Sequence, residues 1–167
     1  MACSGYTGAA AAGSSGAMRF ICVRTMTLVD SDQRESPDYG VLSHTWAEGE
    51  VLFDDMQAFD GMPTNHVRIA KAKQGYKKMR HACQQAKRDG LLYLWADTCC
   101  IDKRSSAELQ EVINSMYRWY AQAKVCYVYL ADVAAGPDWE SQFQSSRWFT
   151  RAWVSTAERI LCCGIDR

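Results

Sequence analysis

The run "LLYLWA" (91–96) is apolar from end to end, and it restricts the folds open to the chain more than any other stretch. A strand with one wet face alternates apolar and polar side chains, whereas a run without alternation is a strand covered on both faces. A second such run, "KVCYVYL" (124–130), lies one helix length downstream. Between the two, Ser105 and Glu108 have the spacing of a capping box. Leu109, Val112, Ile113, Met116, Tyr117 and Tyr120 then mark one apolar helical face.

Upstream, a helical pattern runs from about Val67 to Arg88. Tyr76, Met79, Ala82, Cys83 and Ala86 recur at spacings of three and four, and Gly90 sits where a helix C-terminal glycine belongs. "MRFICVRTMTLVD" (18–30) reads as a short strand followed by an extended segment. "SDQRESPDYG" (31–40) reads as a polar turn region, and "VLSHTW" (41–46) as a strand ending in a polar loop. Strands and helices in alternation with short connections predict an α/β fold of three layers, a mainly parallel sheet flanked by helices.

With 167 residues the chain has room for one domain with a substantial core. We place that domain at 18–167. Residues 1–17 are Gly-, Ala- and Ser-rich without a charge, and are expected to be a disordered leader. They lack the basic and apolar regions of a secretory signal, so the expected location is cytoplasmic. The formal net charge is zero, which gives no electrostatic footprint for nucleic acid. No apolar run approaches the roughly 20 residues of a membrane span.

In a parallel sheet, ligands bind beyond the carboxyl ends of the strands. Two strands end in polar clusters, "SHTW" and "DTCCID". If they are neighbours, Ser43, His44, Trp46, Asp97 and Asp102 converge on one rim as candidate ligand-binding residues, and Trp153 beside a polar loop could join them. For Asp97 two readings stand side by side: contact with a ligand hydroxyl, or capping of its own loop through backbone N–H groups. Ser43 and His44 are adjacent on a strand and point to opposite faces, which argues against a nucleophile–base pair.

Cys99 and Cys100 are vicinal, as are Cys162 and Cys163, and no C-x-x-C occurs. That spacing suits neither a zinc site nor a redox pair, so no metal is expected. The eight cysteines are read as reduced thiols, with Cys22, Cys83 and Cys126 in core-like segments.

Four segments, "VLSHTWAEGEV", "YLWADTCCIDK", "SSAELQEVINSMYRWYAQAKVCYVYLADV" and "SRWFTRAW", resemble in order and spacing the fungal heterokaryon-incompatibility (HET) domain, over about 18–153. That family is linked to nonself recognition and programmed cell death. It is similar to Toll/interleukin-receptor (TIR) domains, several of which cleave NAD at the nicotinamide–ribose bond. The resemblance implies a flavodoxin-like or TIR-like fold, with NAD as a substrate and no resident cofactor. It also implies self-association or pairing with other incompatibility proteins.

In cleaving members of this kind, a glutamate stabilises the positive charge that develops at the anomeric carbon. The family carries it in a W-T-L-x-E-L helix after an F-T-R-G-W segment. Here "SRWFTRAW" is followed by "VSTAERILCCGIDR", with Ala157 four residues after Trp153 and Glu158 one later. One residue turns a helix by about 100°, so Glu158 is a displaced candidate for the catalytic carboxylate. A second alignment sets "AERILCCGID" on the family's next segment and removes the turn that carries the glutamate. The resemblance thus leaves an NAD-cleaving effector domain or a HET domain acting as a binding or oligomerising module. Ala47 and Ala152 stand where the family has glycine, and a glycine there would mark a left-handed turn.

Overall fold

The computed structural model describes residues 18–31, 37–58, 64–134 and 136–150, and the backbone of 160–162. Six strands form one sheet: β1 (Arg19–Cys22), β2 (Leu28–Asp30), β3 (Tyr39–His44), β4 (Tyr93–Ala96), β5 (Val125–Tyr129) and β6 (Ile160–Cys162). Their spatial order is β2-β1-β4-β3-β5-β6. β4, β3, β5 and β6 run parallel, while β1 pairs antiparallel with both β2 and β4. The α/β class holds, but the sheet is mixed. β1 and β2 are joined by a tight turn, closed by Met26 N–H on Cys22 C=O at 2.8 Å with Met26 at φ 59°. So short a connection can only join antiparallel strands.

The sheet's two faces carry different partners, because successive side chains alternate. Val41 is in register with Trp95 and with Cys126. On that face Trp95 packs edge-on against Trp119 and Tyr120 of α4 (Ser106–Gln122), and the Tyr39 hydroxyl donates to Trp119 C=O at 2.6 Å. Leu42, His44 and Tyr127 occupy the other face, where α3 (Gln74–Arg88) lies; Tyr127 Oη donates to Asp89 at 2.7 Å. The step from β3 to β4 goes one way across the sheet and the step from β4 to β5 goes the other. Crossovers of one hand in opposite directions put their helices on opposite faces.

The helix boundaries have local causes. α3 ends in a Schellman motif: Gly90 (φ +79°) donates to Lys87 C=O and Leu91 to Ala86 C=O. α4 is capped by Ser105, whose hydroxyl accepts from Glu108 N–H at 3.3 Å. The reciprocal arm of the capping box is diverted, since Glu108 Oε1 instead accepts from Asp102 N–H at 2.8 Å and from the Arg19 guanidinium of β1. α1 (Phe53–Ala58) and α5 (Trp139–Gln144) are short, and a 3-10 turn (Arg147–Thr150) follows α5.

Two expected helical features differ. The single helix over 67–88 is two helices, α2 (Thr64–Ala72) and α3, broken where Lys73 adopts an extended ψ of 144°. The break lets Gly75 press on the preceding loop, where its N–H donates to Gly49 C=O at 3.0 Å. The apolar arc of α4 is wider than the strip the sheet can cover. Val112, Met116, Trp119 and Tyr120 pack inward, while Leu109, Ile113 and Tyr117 remain exposed.

Phe20, Tyr39, Leu42, Leu94, Trp95, Tyr127 and Trp148 are all sealed in the core, each contributing about 1.5–3 kcal/mol relative to exposure. Cys22, Cys83, Cys99, Cys100 and Cys126 are buried in it, and none forms a disulfide. No helix among the described residues is long and apolar enough to cross a membrane. The expected leader (1–17), Ala152, Trp153, Ala157 and Glu158 lie outside the described residues.

Candidate functional site

β3 and β4 are parallel neighbours, so the loops at their carboxyl ends share one rim. His44 closes β3 and Asp97 follows β4, both buried. Asp97 accepts the indole N–H of Trp46, with Nε1 at 3.2 and 3.1 Å from its two oxygens. His44 Nε2 lies 3.2 Å from Asp97 Oδ1. Asp97 thus binds side chains at the end of the neighbouring strand, a contact distinct from both roles read for it in the sequence.

The other side of the imidazole meets a lysine. Lys78, only 6% exposed, places Nζ 2.6 Å from His44 Nδ1 and donates to Glu50 Oε1, also at 2.6 Å. An ammonium can only donate, so Nδ1 must accept and the ring proton sits on Nε2, facing Asp97. Glu50 is further held by Ala47 N–H at 2.9 Å. The order Asp97, His44, Lys78, Glu50 is a chain of polar contacts in which a neutral imidazole stands between a carboxylate and an ammonium, across one end of the sheet where low dielectric strengthens each link.

Lys103 completes the rim. It follows the loop after β4 and lays its Nζ 3.5 Å from the centre of the Trp46 ring. The nitrogen is buried and has no hydrogen-bond partner among the described residues. Burial holds this ammonium below the ordinary lysine range, with the negative charge of Asp97 and Glu50 opposing that effect. Trp46 itself is 51% exposed: its edge is anchored on Asp97, one face covers Lys103 and the remainder meets solvent.

The loop from Asp97 to Asp102 is organised by Ala96, whose carbonyl accepts from Cys99 and Cys100 N–H groups at 3.3 and 2.9 Å. Ala96 N–H points to Cys100 Sγ at 3.4 Å, and Cys99 Sγ lies 3.9 Å from Met79 Sδ. The vicinal cysteines thus shape the turn and fill the core. Among the described residues no group of three or more metal-ligating side chains occurs.

Of the rim candidates, His44, Trp46 and Asp97 come together. Ser43 lies on the opposite face, where its hydroxyl accepts the indole N–H of buried Trp148 at 3.0 Å. Asp102 turns away from the rim to pair with Arg104 at 2.8 Å through both oxygens, and this hydrogen bonding to Arg104 lowers its pKa. Ala47 is free of the strain a left-handed position would impose; the positive φ in this loop belongs to Gly49, at 77°.

Glu50, Lys78 and Lys103 were not singled out from the sequence. Lys78 had a visible signal. Gly75, Lys78, Met79, Ala82, Cys83 and Ala86 are the buried positions of α3, a spacing of three and four that puts a lysine inside an apolar stripe. A charge at a core position needs a buried partner.

Comparison with known proteins identifies a family whose model spans the rim residues. The family model described as heterokaryon incompatibility protein (HET) matches residues 39–138, which span β3 to the end of the segment after β5. The vegetative incompatibility protein HET-E-1 of Podospora anserina is 48% identical over 127 residues, covering 71% of this chain. The chain spans 9% of that relative's length. No solved structure matches the chain.

Proposed function

Since this chain belongs to the heterokaryon incompatibility (HET) family, we propose that it serves vegetative incompatibility as a NAD-binding domain, with the rim at the ends of β3 and β4 as its binding site. The observation that carries this reading is the grouping of Trp46, Asp97 and Lys103 on one rim. An exposed indole offers a stacking surface, a buried carboxylate can receive a ribose hydroxyl, and an ammonium can meet a phosphate. NAD carries a cationic ring and an anionic diphosphate, and the rim presents a carboxylate at the edge and an ammonium over the face of one tryptophan. The TIR-like character and a role in programmed cell death follow from the family resemblance and belong to the same proposal.

Cleavage is a separate step. Asp97 and Glu50 are both engaged with neighbouring donors, and Glu158 is the remaining candidate for the carboxylate that would face the anomeric carbon. Titrating NAD into the purified protein by calorimetry tests binding, and nicotinamide release tests cleavage. Saturable binding that is lost in Asp97→Ala supports the reading, while no heat at millimolar NAD sinks it. Release abolished by Glu158→Gln assigns the chemistry to Glu158. Binding without release makes the domain a NAD-responsive module without catalysis.

A further inference from the structure

Lys103 is the odd member of the rim. Lys78 gives its N–H groups to His44 and Glu50, and the two carboxylates are occupied by Trp46, Lys78 and the Ala47 N–H. Lys103 faces an aromatic ring, which answers its charge but accepts none of its three N–H bonds in the ordinary sense. A buried donor without an acceptor is costly, and a cation–π contact offsets only part of that cost. The arrangement is therefore poised toward any acceptor able to reach the nitrogen.

Trp46 decides what can reach it. The indole covers the ammonium while half of its own surface stays in water, and its anchor on Asp97 is two long contacts of 3.1 and 3.2 Å from one N–H. Such a cover can lift without unpacking the core, because the ring is not part of the sealed interior.

We propose that Lys103 is the diphosphate-binding residue of this domain, masked by Trp46 until a nucleotide displaces the indole. The inference rests on the nucleotide reading of the rim and adds to it a specific anion subsite with a gate. Phosphate is the chemistry indicated because its oxygens can accept several N–H bonds from one ammonium and supply the negative charge the ring only mimics. When the indole lifts, its freed face can close on the adenine or nicotinamide ring of the same ligand. Binding and unmasking are then one event.

Two single variants separate gate from subsite, with inorganic pyrophosphate and NAD as calorimetric probes. Lys103→Met should weaken pyrophosphate binding about tenfold or more, as expected for a lost charge-assisted contact. Trp46→Ala should tighten pyrophosphate binding, because the ammonium is uncovered, and weaken NAD binding, because the stacking surface is gone. Far-ultraviolet circular dichroism and the melting temperature establish that both variants are folded. Lys103→Met that binds pyrophosphate as the parent does overturns the subsite. Trp46→Ala that binds it no more tightly overturns the gate. Lys103-dependent pyrophosphate binding without NAD binding would leave the subsite standing and remove the NAD reading. NAD binding indifferent to Lys103→Met would do the reverse.

Discussion

Gly75 and Glu50 touch across a missing side chain: a Cβ on Gly75 would stand 2.8 Å from Glu50 Cα and equally close to Val51 N. Both atoms are backbone, so neither can rotate aside. The glycine lets the loop after β3 lie directly on α3, and that contact carries the Glu50 carboxylate to Lys78. Alanine is about 1 kcal/mol better than glycine inside a helix, but overpacking of this kind costs about 1–3 kcal/mol. Gly75→Ala should therefore lower stability in urea unfolding despite its better helix propensity. A variant more stable than the parent would show that the loop yields without cost.

Lys78 holds Glu50 and His44 together, and its removal should be more damaging than the loss of one surface charge. Lys78→Met leaves a largely buried carboxylate without its counter-charge, for an expected loss of about 3 kcal/mol or more. Adding Glu50→Gln should recover much of that loss. Nitrogen-15 spectra of His44 give an independent check. The parent should carry its ring proton on Nε2, and the preference should weaken once Nδ1 has no ammonium beside it.

Ser43→Ala and Asp97→Asn should part company, although both lie at strand ends on neighbouring strands. Ser43 receives the buried Trp148 indole on the α4 side, so its loss strands a donor and costs about 1–3 kcal/mol. NAD binding should be unchanged. Asp97→Asn keeps an acceptor for Trp46 but removes the charge from the rim, and should cut NAD affinity about tenfold or more. Equal effects of both variants on binding would place the ligand elsewhere.

Burial pushes the Cys83 and Cys126 thiols and the Tyr39 phenol up to about 12. Each is held protonated in the folded state and ionises earlier when unfolded, at about 8.5 for a thiol and 10 for a phenol. Raised groups of this sort support folding below the unfolded value and lose that contribution as pH climbs through the folded one. The urea midpoint should therefore fall between about pH 9 and 12. Cys83→Ala should be less stable at pH 8 but show a shallower alkaline decline. In the native protein at pH 8, iodoacetamide should leave both thiols unmodified, as read by peptide mass spectrometry.

The parts of the molecule visible in the sequence are those that periodicity encodes. "LLYLWA" and "KVCYVYL" announce strands buried on both faces, Gly90 announces the end of α3, and adjacency alone puts Ser43 and His44 on opposite faces. Periodicity records how deep a position lies and says little about which distant residue meets it. Glu50 has only the signature of a loop residue in the sequence, because the contact that buries it depends on Gly75, 25 positions on. Lys78 falls by spacing in the apolar stripe of α3, but its residue type points to solvent, because a lysine is normally solvated. Nothing in the composition around Lys73 forbids a helix, and the packing of Gly75 on the loop after β3 imposes the break. The antiparallel placement of β1 likewise depends on pairing with β4, 73 residues away for Ile21 with Leu94 and 71 for Cys22 with Tyr93.

Glu108 ties three separate pieces of chain: the backbone of Asp102, the guanidinium of Arg19 on β1, and the first turn of α4. A loop that must move to admit a ligand cannot pivot where it is clamped. The Asp102 amide should exchange with solvent as slowly as the helix it leads into, while the indole of Trp46 remains quick to reorient. On the β4 side of the rim, adaptability is thus confined to side chains above a clamped backbone, and the entropy a ligand must overcome there is correspondingly small.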